Sequence, residues 1–191
     1  QMINGEGWLA GDKKCRLTVI PCEGYNHNVR YRLPVRPSPN LPNMTSIYLY
    51  PSLALFEGTE VSVGRGTDKP FQQIGMPGFK KGNHSFTPVS IVGASVNPPQ
   101  KDKLCNGFDL FAIDEHSQLN EVNLEWLLAM YKDAPNKDTF FLKSGFFNKL
   151  AGTDELMKQI KSDKSAKEIR DSWQADLSEF RQIRNKYLLY K

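Results

Sequence analysis

The sequence predicts an α+β fold: a mixed sheet with flanking helices and a helical C-terminal third. Three observations carry the prediction. Short β-branched or alternating apolar runs are scattered over residues 17–113. Over Ala166–Tyr187, apolar side chains recur at spacings of three, four and seven. A content of 39% hydrophobic and 11% aromatic residues over 191 positions suits one globular domain and argues against disorder.

Met2 to Leu9 carries two glycines and ends in an apolar pair, as at the end of an element running into a turn. Leu17-Thr18-Val19-Ile20 is a β-branched run closed by Pro21, and predicts a strand. Glu23 to Pro42 reads as a loop, with Tyr25, His27, Tyr31 and the tetrapeptide Pro37-Ser38-Pro39-Asn40. Asn43 then suits a helix N-cap. Ile47, Tyr48, Leu55 and Phe56 fall near helical spacing, Pro51 marks a kink, and Glu57-Gly58-Thr59 ends the helix.

Val61 and Val63 alternate with Ser62 and Gly64 as in a strand, and Gly64-Arg65-Gly66-Thr67 predicts a tight turn before Pro70. Further strands are expected at Phe86–Val92 and Gly107–Ile113, the second apolar enough to be central. Asn120–Lys132 predicts a helix with Val122, Trp126, Leu127 and Met130 on one side, stopped by Asp133-Ala134-Pro135. Helices follow at Asp154–Ile160 and Ala166–Tyr187. In the last of these, Ile169, Trp173, Leu177, Phe180 and Tyr187 form the stripe expected to face a core.

Charge excludes some functions. The 25 basic and 21 acidic residues leave a net +4, spread along the chain. Between Lys143 and Lys191 the two signs alternate, as on a solvated helix face rather than a nucleic-acid or membrane surface. Cys15, Cys22 and Cys105 lack the CxxC or Cys/His spacing of a zinc site, and their odd number leaves at least one thiol unpaired. No apolar run is long enough to span a bilayer, and a chain opening at Gln1 reads as a portion of something longer.

Candidate chemistry is compressed between Arg36 and Pro77, where polar groups sit beside glycine and proline. Glu57 follows the apolar Leu53, Leu55 and Phe56. Partial desolvation would suit it to act as a general acid, but spacing alone favours a carboxylate that caps backbone donors or pairs with Arg65, with substrate hydrogen bonding a third reading. Arg65 lies between two glycines, leaving room for a ligand carboxylate or phosphate, and the N–H groups of the same turn could form an anion nest. That turn lacks the lysine of a P-loop and the third glycine of a dinucleotide fingerprint. Asn40 is placed either to hold a sugar hydroxyl or to bond its own turn. His27, His84 and His116 have no Ser or Cys motif beside them and are not carried forward.

The ordered series NGEGW, PSPN, YPSLALFEGT, SVGRGTDKPFQQIGMP and YLLY resembles the exo-β-N-acetylmuramidase (NamZ-like) family, in a form similar to that of Bacteroides-type bacteria, over nearly the whole chain. The resemblance implies an exo-acting glycoside hydrolase that releases N-acetylmuramic acid from the non-reducing ends of peptidoglycan fragments, with no metal or organic cofactor. It implies two parts, a Rossmann-like N-terminal domain and a C-terminal domain, here residues 1–191, with the active site between them and the family's catalytic Glu expected in the N-terminal part. The isolated chain is then expected to be inactive. Its partners would be a muramyl substrate and its own N-terminal domain, with neither nucleic acid nor a membrane span, and its location exported or periplasmic.

Within this chain Glu57 is the catalytic candidate. Arg65, helped by Thr67, is expected to read the lactyl carboxylate of muramic acid, while Asn40, Ser62 and Glu57 hold ring or acetamido groups. Two other readings stand beside this one: a noncatalytic module binding cell-wall saccharide or a protein, and a phosphate or nucleotide site at Gly64 to Thr67.

Overall fold

The computed structural model describes residues 1–112 and 121–190. In chain order the helices are α1 (Met2–Gly5), α2 (Met44–Leu53), α3 (Glu125–Lys132), α4 (Lys137–Phe140), α5 (Phe146–Ala151), α6 (Glu155–Lys161), α7 (Ala166–Ser172) and α8 (Gln174–Asn185). The strands are β1 (Gln73–Met76), β2 (His84–Phe86) and β3 (Cys105–Asp109). The α+β class is borne out. The chain divides into one unit of residues 33–169 and another formed by residues 1–32 and 170–191.

In the larger unit, α2 starts where the sequence places it. The Asn43 side chain accepts from the Ser46 amide at 3.0 Å, and Ser46 returns the bond to the Asn43 backbone, a reciprocal cap. Pro51 falls in the last turn of α2, which gives way to a 3-10 segment at Ala54–Gly58. That segment lies so close to α5 that a Cβ on Gly58 would stand 2.5 Å from the Phe147 amide nitrogen. Leu53, Phe56, Ile74, Leu127, Phe147 and Ile160 are among the buried core residues. The rings of Tyr131, Phe140, Phe141 and Phe147 pack with centroids 4.7–5.5 Å apart.

The three strands form an antiparallel sheet in the order β1-β3-β2, where a mixed sheet was expected. Gln73 pairs with Asp109 and Gly75 with Gly107; His84 also pairs with Gly107, and Phe86 with Cys105. Since side chains alternate along a strand, Gln73, His84, Phe86 and Asp109 share one face, while Ile74 and Met76 point into the core on the other. Both residues at the middle of that face are glycine, and neither has room for a side chain: a Cβ at Gly75 would stand 2.9 Å from Phe86 Cε1, and one at Gly107 would collide with the Ile74 carbonyl.

In the smaller unit the two chain ends meet. Tyr187 Oη donates to Glu6 at 2.7 Å, Lys186 pairs with Glu6 at 3.1 Å, and the Cys22 amide donates to Tyr190 Oη at 2.6 Å. Asn4 exchanges two hydrogen bonds with the Cys15 backbone, at 2.7 and 2.9 Å. A Cβ on Gly5 would collide with the Tyr187 ring, so NGEGW and YLLY, at opposite ends of the sequence, are packed on one another.

Several expectations need correction. Leu17–Ile20 forms no strand: it has no ladder to join, and Ile20 is 87% exposed. Val61–Val63 contributes a single bridge, Ser62 to Gly75, rather than a strand. The strand placed at Phe86–Val92 instead ends at Phe86; Pro88 has no N–H for a ladder, and the Val89 amide turns back to the Gly66 carbonyl at 2.8 Å. The Gly107–Ile113 strand begins earlier, at Cys105, and is central as expected, but Ile113 lies outside the described residues.

The helix placed at Asn120–Lys132 starts at Glu125, where Asn123 Oδ1 accepts from the Glu125 amide; Asn120 itself lies outside the described residues. The C-terminal helix breaks at Trp173 into α7 and α8. Its stripe divides as well: Ile169 is fully buried, but α8 buries no residue, and Leu177 and Phe180 are 36% and 43% exposed. β1 and α5 were missed. Gln72 and Gln73 hid the first, and the six residues of the second are too few to show a period.

Candidate functional site

The Gly64–Thr67 turn closes with the Thr67 amide donating to the Gly64 carbonyl at 3.2 Å, and both glycines are left-handed, with φ 78° and 81°. Space as well as conformation demands them. A Cβ at Gly64 would meet the Lys69 carbonyl at 2.6 Å and Gln73 Cγ at 2.8 Å, and one at Gly66 would meet the Val89 carbonyl at 2.5 Å. Phe71, fully buried, is held at φ 55°, a conformation that costs a side-chain-bearing residue roughly 1 kcal/mol or more. Its amide donates to the Val63 carbonyl at 2.7 Å, its ring packs 4.9 Å from that of Tyr50, and the Arg65 guanidinium lies 4.8 Å above it. This strained residue turns the chain into β1 and so sets Gln73.

Glu57 and Arg65 are brought together, with Arg65 Nε and Nη2 donating to Glu57 Oε1 at 3.0 and 2.5 Å. Ser62 is fully buried; its Oγ accepts from the Gly64 amide at 3.3 Å and its backbone bridges Gly75. Asn40 is buried too, its Nδ2 donating to the Ala94 carbonyl at 3.0 Å. Of the five site residues read from sequence, Thr67 lines an open cleft of about 500 Å³, together with Gly66, Asp68, Lys69, Gln73, His84, Ser85, Phe86, Thr87, Val89 and Ile91. A smaller cleft of about 370 Å³ shares Thr67, Asp68 and Ile91 and adds Arg36, Pro39 and Pro42. A larger groove, about 720 Å³, runs beside α3, but its lining alternates Lys132, Lys137 and Lys164 with Glu125, Asp133 and Asp163, which leaves no net charge to select a ligand.

The 500 Å³ cleft is ordered by a chain of hydrogen bonds. Thr67 Oγ1 donates to the Gly64 carbonyl at 2.7 Å and accepts from the Lys69 amide at 3.1 Å and from Gln73 Nε2 at 2.7 Å; Gln73 Oε1 meets His84 Nε2 at 2.7 Å. Gln73 is 1% exposed, so both ends of its amide need these partners. The His84 ring stacks on Phe86, with centroids 5.9 Å apart and planes 27° apart. Lys69 Nζ reaches Asp109 at 2.8 Å. Burial by itself would raise the Asp109 pKa, but the Lys69 hydrogen bond, a bond from the Phe111 amide and the nearby charge of Lys69 together hold the carboxyl below its ordinary value.

Gln73, Lys69 and His84 were missed from sequence. The available signal was alternation, Gln73 with Gly75 and His84 with Phe86, but runs so short and polar do not announce a strand.

Residues 48–190 match the family described as Exo-beta-N-acetylmuramidase NamZ, C-terminal. The chain is 34% identical over 189 residues to the Peptidoglycan beta-N-acetylmuramidase NamZ of Bacillus subtilis (strain 168), covering 91% of this chain and 45% of that protein. It is also similar to the crystal structure of a DUF1343 family protein from Bacteroides fragilis NCTC 9343, with TM-score 0.93 and 49% identity, covering all of this chain and 53% of that one. A second DUF1343 family protein of the same bacterium shares the fold, at TM-score 0.76 and 20% identity, again over all of this chain and 54% of the other. The chain thus spans about half the length of the relatives it matches.

Proposed function

The chain belongs to the family of exo-β-N-acetylmuramidase NamZ C-terminal domains, and from that premise we propose that it is one part of an exo-acting glycoside hydrolase releasing N-acetylmuramic acid from the non-reducing ends of peptidoglycan fragments. In this reading it contributes substrate-binding surface, and a Rossmann-like N-terminal portion completes the site and supplies the catalytic carboxylate. An exported or periplasmic location follows from such a substrate.

The observation that supports this reading is the cleft at Thr67, Gln73 and His84. Its volume of about 500 Å³ lies within the range of small-molecule sites, and its lining pairs an apolar side, Phe86, Val89 and Ile91, with a polar side, Thr67, Lys69 and His84. A pyranose has the same two characters, a C–H face and a rim of hydroxyls. Glycosidases ordinarily need two carboxyl groups flanking the scissile bond, and Asp68 is the only one among the described residues lining this cleft. The acid–base pair of this reading therefore has to be completed from elsewhere. The same observation favours the competing reading, a module that binds cell-wall saccharide without turning it over.

The lactyl carboxylate of muramic acid calls for a cation. Arg65 is the partner proposed from sequence, but Glu57 already holds two of its N–H groups, so a ligand carboxylate on Arg65 would have to share it with a like charge. Lys69, itself paired with Asp109, is the cation that lines the cleft among the described residues, and it is the better placed partner in this reading.

Turnover separates the two readings. Chromophore release from a 4-nitrophenyl β-N-acetylmuramide is measured for this chain alone and for the chain joined to the N-terminal half that its relatives carry. Activity confined to the longer protein is the expected result. No activity in either would leave the binding module.

A further inference from the structure

His84, which no sequence motif singles out, lines the cleft. Its protonation pattern follows from the hydrogen bonds around it. Thr67 Oγ1 has one proton, and the 2.7 Å approach to the Gly64 carbonyl, which can only accept, commits that proton there. Thr67 Oγ1 therefore accepts at its other contacts, and the group of Gln73 that faces it must be the NH2. The carbonyl end of Gln73 then faces His84, and a carbonyl oxygen 2.7 Å from Nε2 requires Nε2 to carry a proton. Flipping the Gln73 amide would set two acceptors against each other, either at Gly64 and Thr67 or at Thr67 and Gln73. Because Gln73 is 1% exposed, no water stands ready to relieve that conflict. The neutral ring is thus held as the Nε2–H tautomer, leaving Nδ1 as a bare acceptor on a ring that lines the cleft and stacks on Phe86.

We propose that the Gly64–Thr67–Gln73–His84 chain orients His84 so that Nδ1 accepts a hydrogen bond from a saccharide donor, a hydroxyl or acetamido N–H, bound against Phe86 in this cleft. The proposal rests on the reading of the chain as part of a muramidase, but its test reads binding rather than hydrolysis. The groups that build the arrangement come from three places: the Gly64–Thr67 turn, β1 and β2. Gly75 and Gly107 stand opposite one another and His84 is also opposite Gly107; the missing side chain at Gly75 admits the Phe86 ring, whose Cε1 lies 2.9 Å from where a Cβ would stand. His84 is a ligand-contacting residue in this account, with no proton-transfer role.

The test uses histidine 15N labelling in the chain joined to its N-terminal half, at about pH 8, where an ordinary imidazole is neutral. The expected result is a His84 with Nε2 protonated and Nδ1 bare, whose Nδ1 resonance moves saturably toward the hydrogen-bonded range as N-acetylmuramic acid is added. A His84 carrying its proton on Nδ1, or an Nδ1 resonance that N-acetylmuramic acid leaves unmoved, would overturn the proposal. A protein that shows the shift but does not hydrolyse muramides would keep this proposal and lose the functional reading.

Two substitutions separate ligand contact from a purely structural role. The amide of His84→Asn falls near the position of Nδ1, and that of His84→Gln near the position of Nε2. Loss of one neutral hydrogen bond corresponds to about a five-fold rise in Kd. We expect that rise for His84→Gln, with His84→Asn within about two-fold of wild type. The reverse order, with His84→Asn the worse binder, would mean that only the bond to Gln73 matters.

Discussion

Replacing Gln73 by leucine tests whether the hydrogen-bonded chain organises the cleft. The substitution keeps the volume roughly constant and removes two side-chain hydrogen bonds, one to Thr67 Oγ1 and one to His84 Nε2, both 2.7 Å long. Each is worth about 1 kcal/mol net in a folded protein. The stranded partners do not add the full penalty of unpaired buried groups, because Thr67 keeps its bonds to Gly64 and Lys69 and the half-buried His84 can turn to water. The expected loss is therefore about 1–2 kcal/mol, or a fall in Tm of about 3–6 °C for a protein of this size. Thermal unfolding followed by far-ultraviolet circular dichroism measures it. The same substitution in a His84→Ala background should cost about 0.5–1 kcal/mol less, since one of the two bonds is already gone. A Gln73→Leu protein as stable as wild type, or a cost unchanged by removing His84, would refute the assignment of these bonds.

Other outcomes follow from the packing and the titrating groups. Gly58→Ala drives a methyl into the Phe147 backbone, which cannot swing aside as a side chain would, and should cost about 3 kcal/mol or more in urea unfolding; a loss below about 1 kcal/mol would place α5 further away. Burial pushes the Cys105 thiol up to about 11, so an alkylating reagent at about pH 8 should label exposed Cys15 and Cys22 and spare Cys105 until the protein is unfolded, as read by intact mass. The Tyr187 hydrogen bond, and after it that of Lys186, lowers the Glu6 pKa below its ordinary 4.5. The stability this contributes is present above that ordinary value and is lost as pH falls through the lower folded value. Amide exchange at residues 2–6 and 186–190, compared with exchange in the rest of the protein, should therefore quicken on acidification. Tyr187→Phe should weaken that dependence, and an unchanged profile would show that the contact does not form in solution.

Much of the fold was legible where local chemistry was strong. Asn43 announced its helix because an N-cap is a property of a few adjacent residues, and Gly64 and Gly66 announced their turn because only glycine fits there. The terminal helix misled because periodicity reports that a helix has an apolar side and says nothing of what covers it; Leu177 and Phe180 have the spacing of core residues and remain exposed in this chain. The family was legible in the ordered motifs, and the site only in part. Glu57 and Arg65 drew attention as charged groups beside glycine, and they pair with each other. Gln73 and His84 meet through a register that joins β1 and β2 across β3, and no local pattern in either short strand reveals that crossing.

The most direct measurement is a crystal structure of the chain joined to its N-terminal half, with a non-hydrolysable N-acetylmuramide bound. We expect a sugar ring against Phe86, with a hydroxyl or acetamido N–H about 2.7–3.2 Å from His84 Nδ1 and the glycosidic bond directed toward the N-terminal half. A muramide bound elsewhere, with the Thr67–His84 cleft empty, would contradict it.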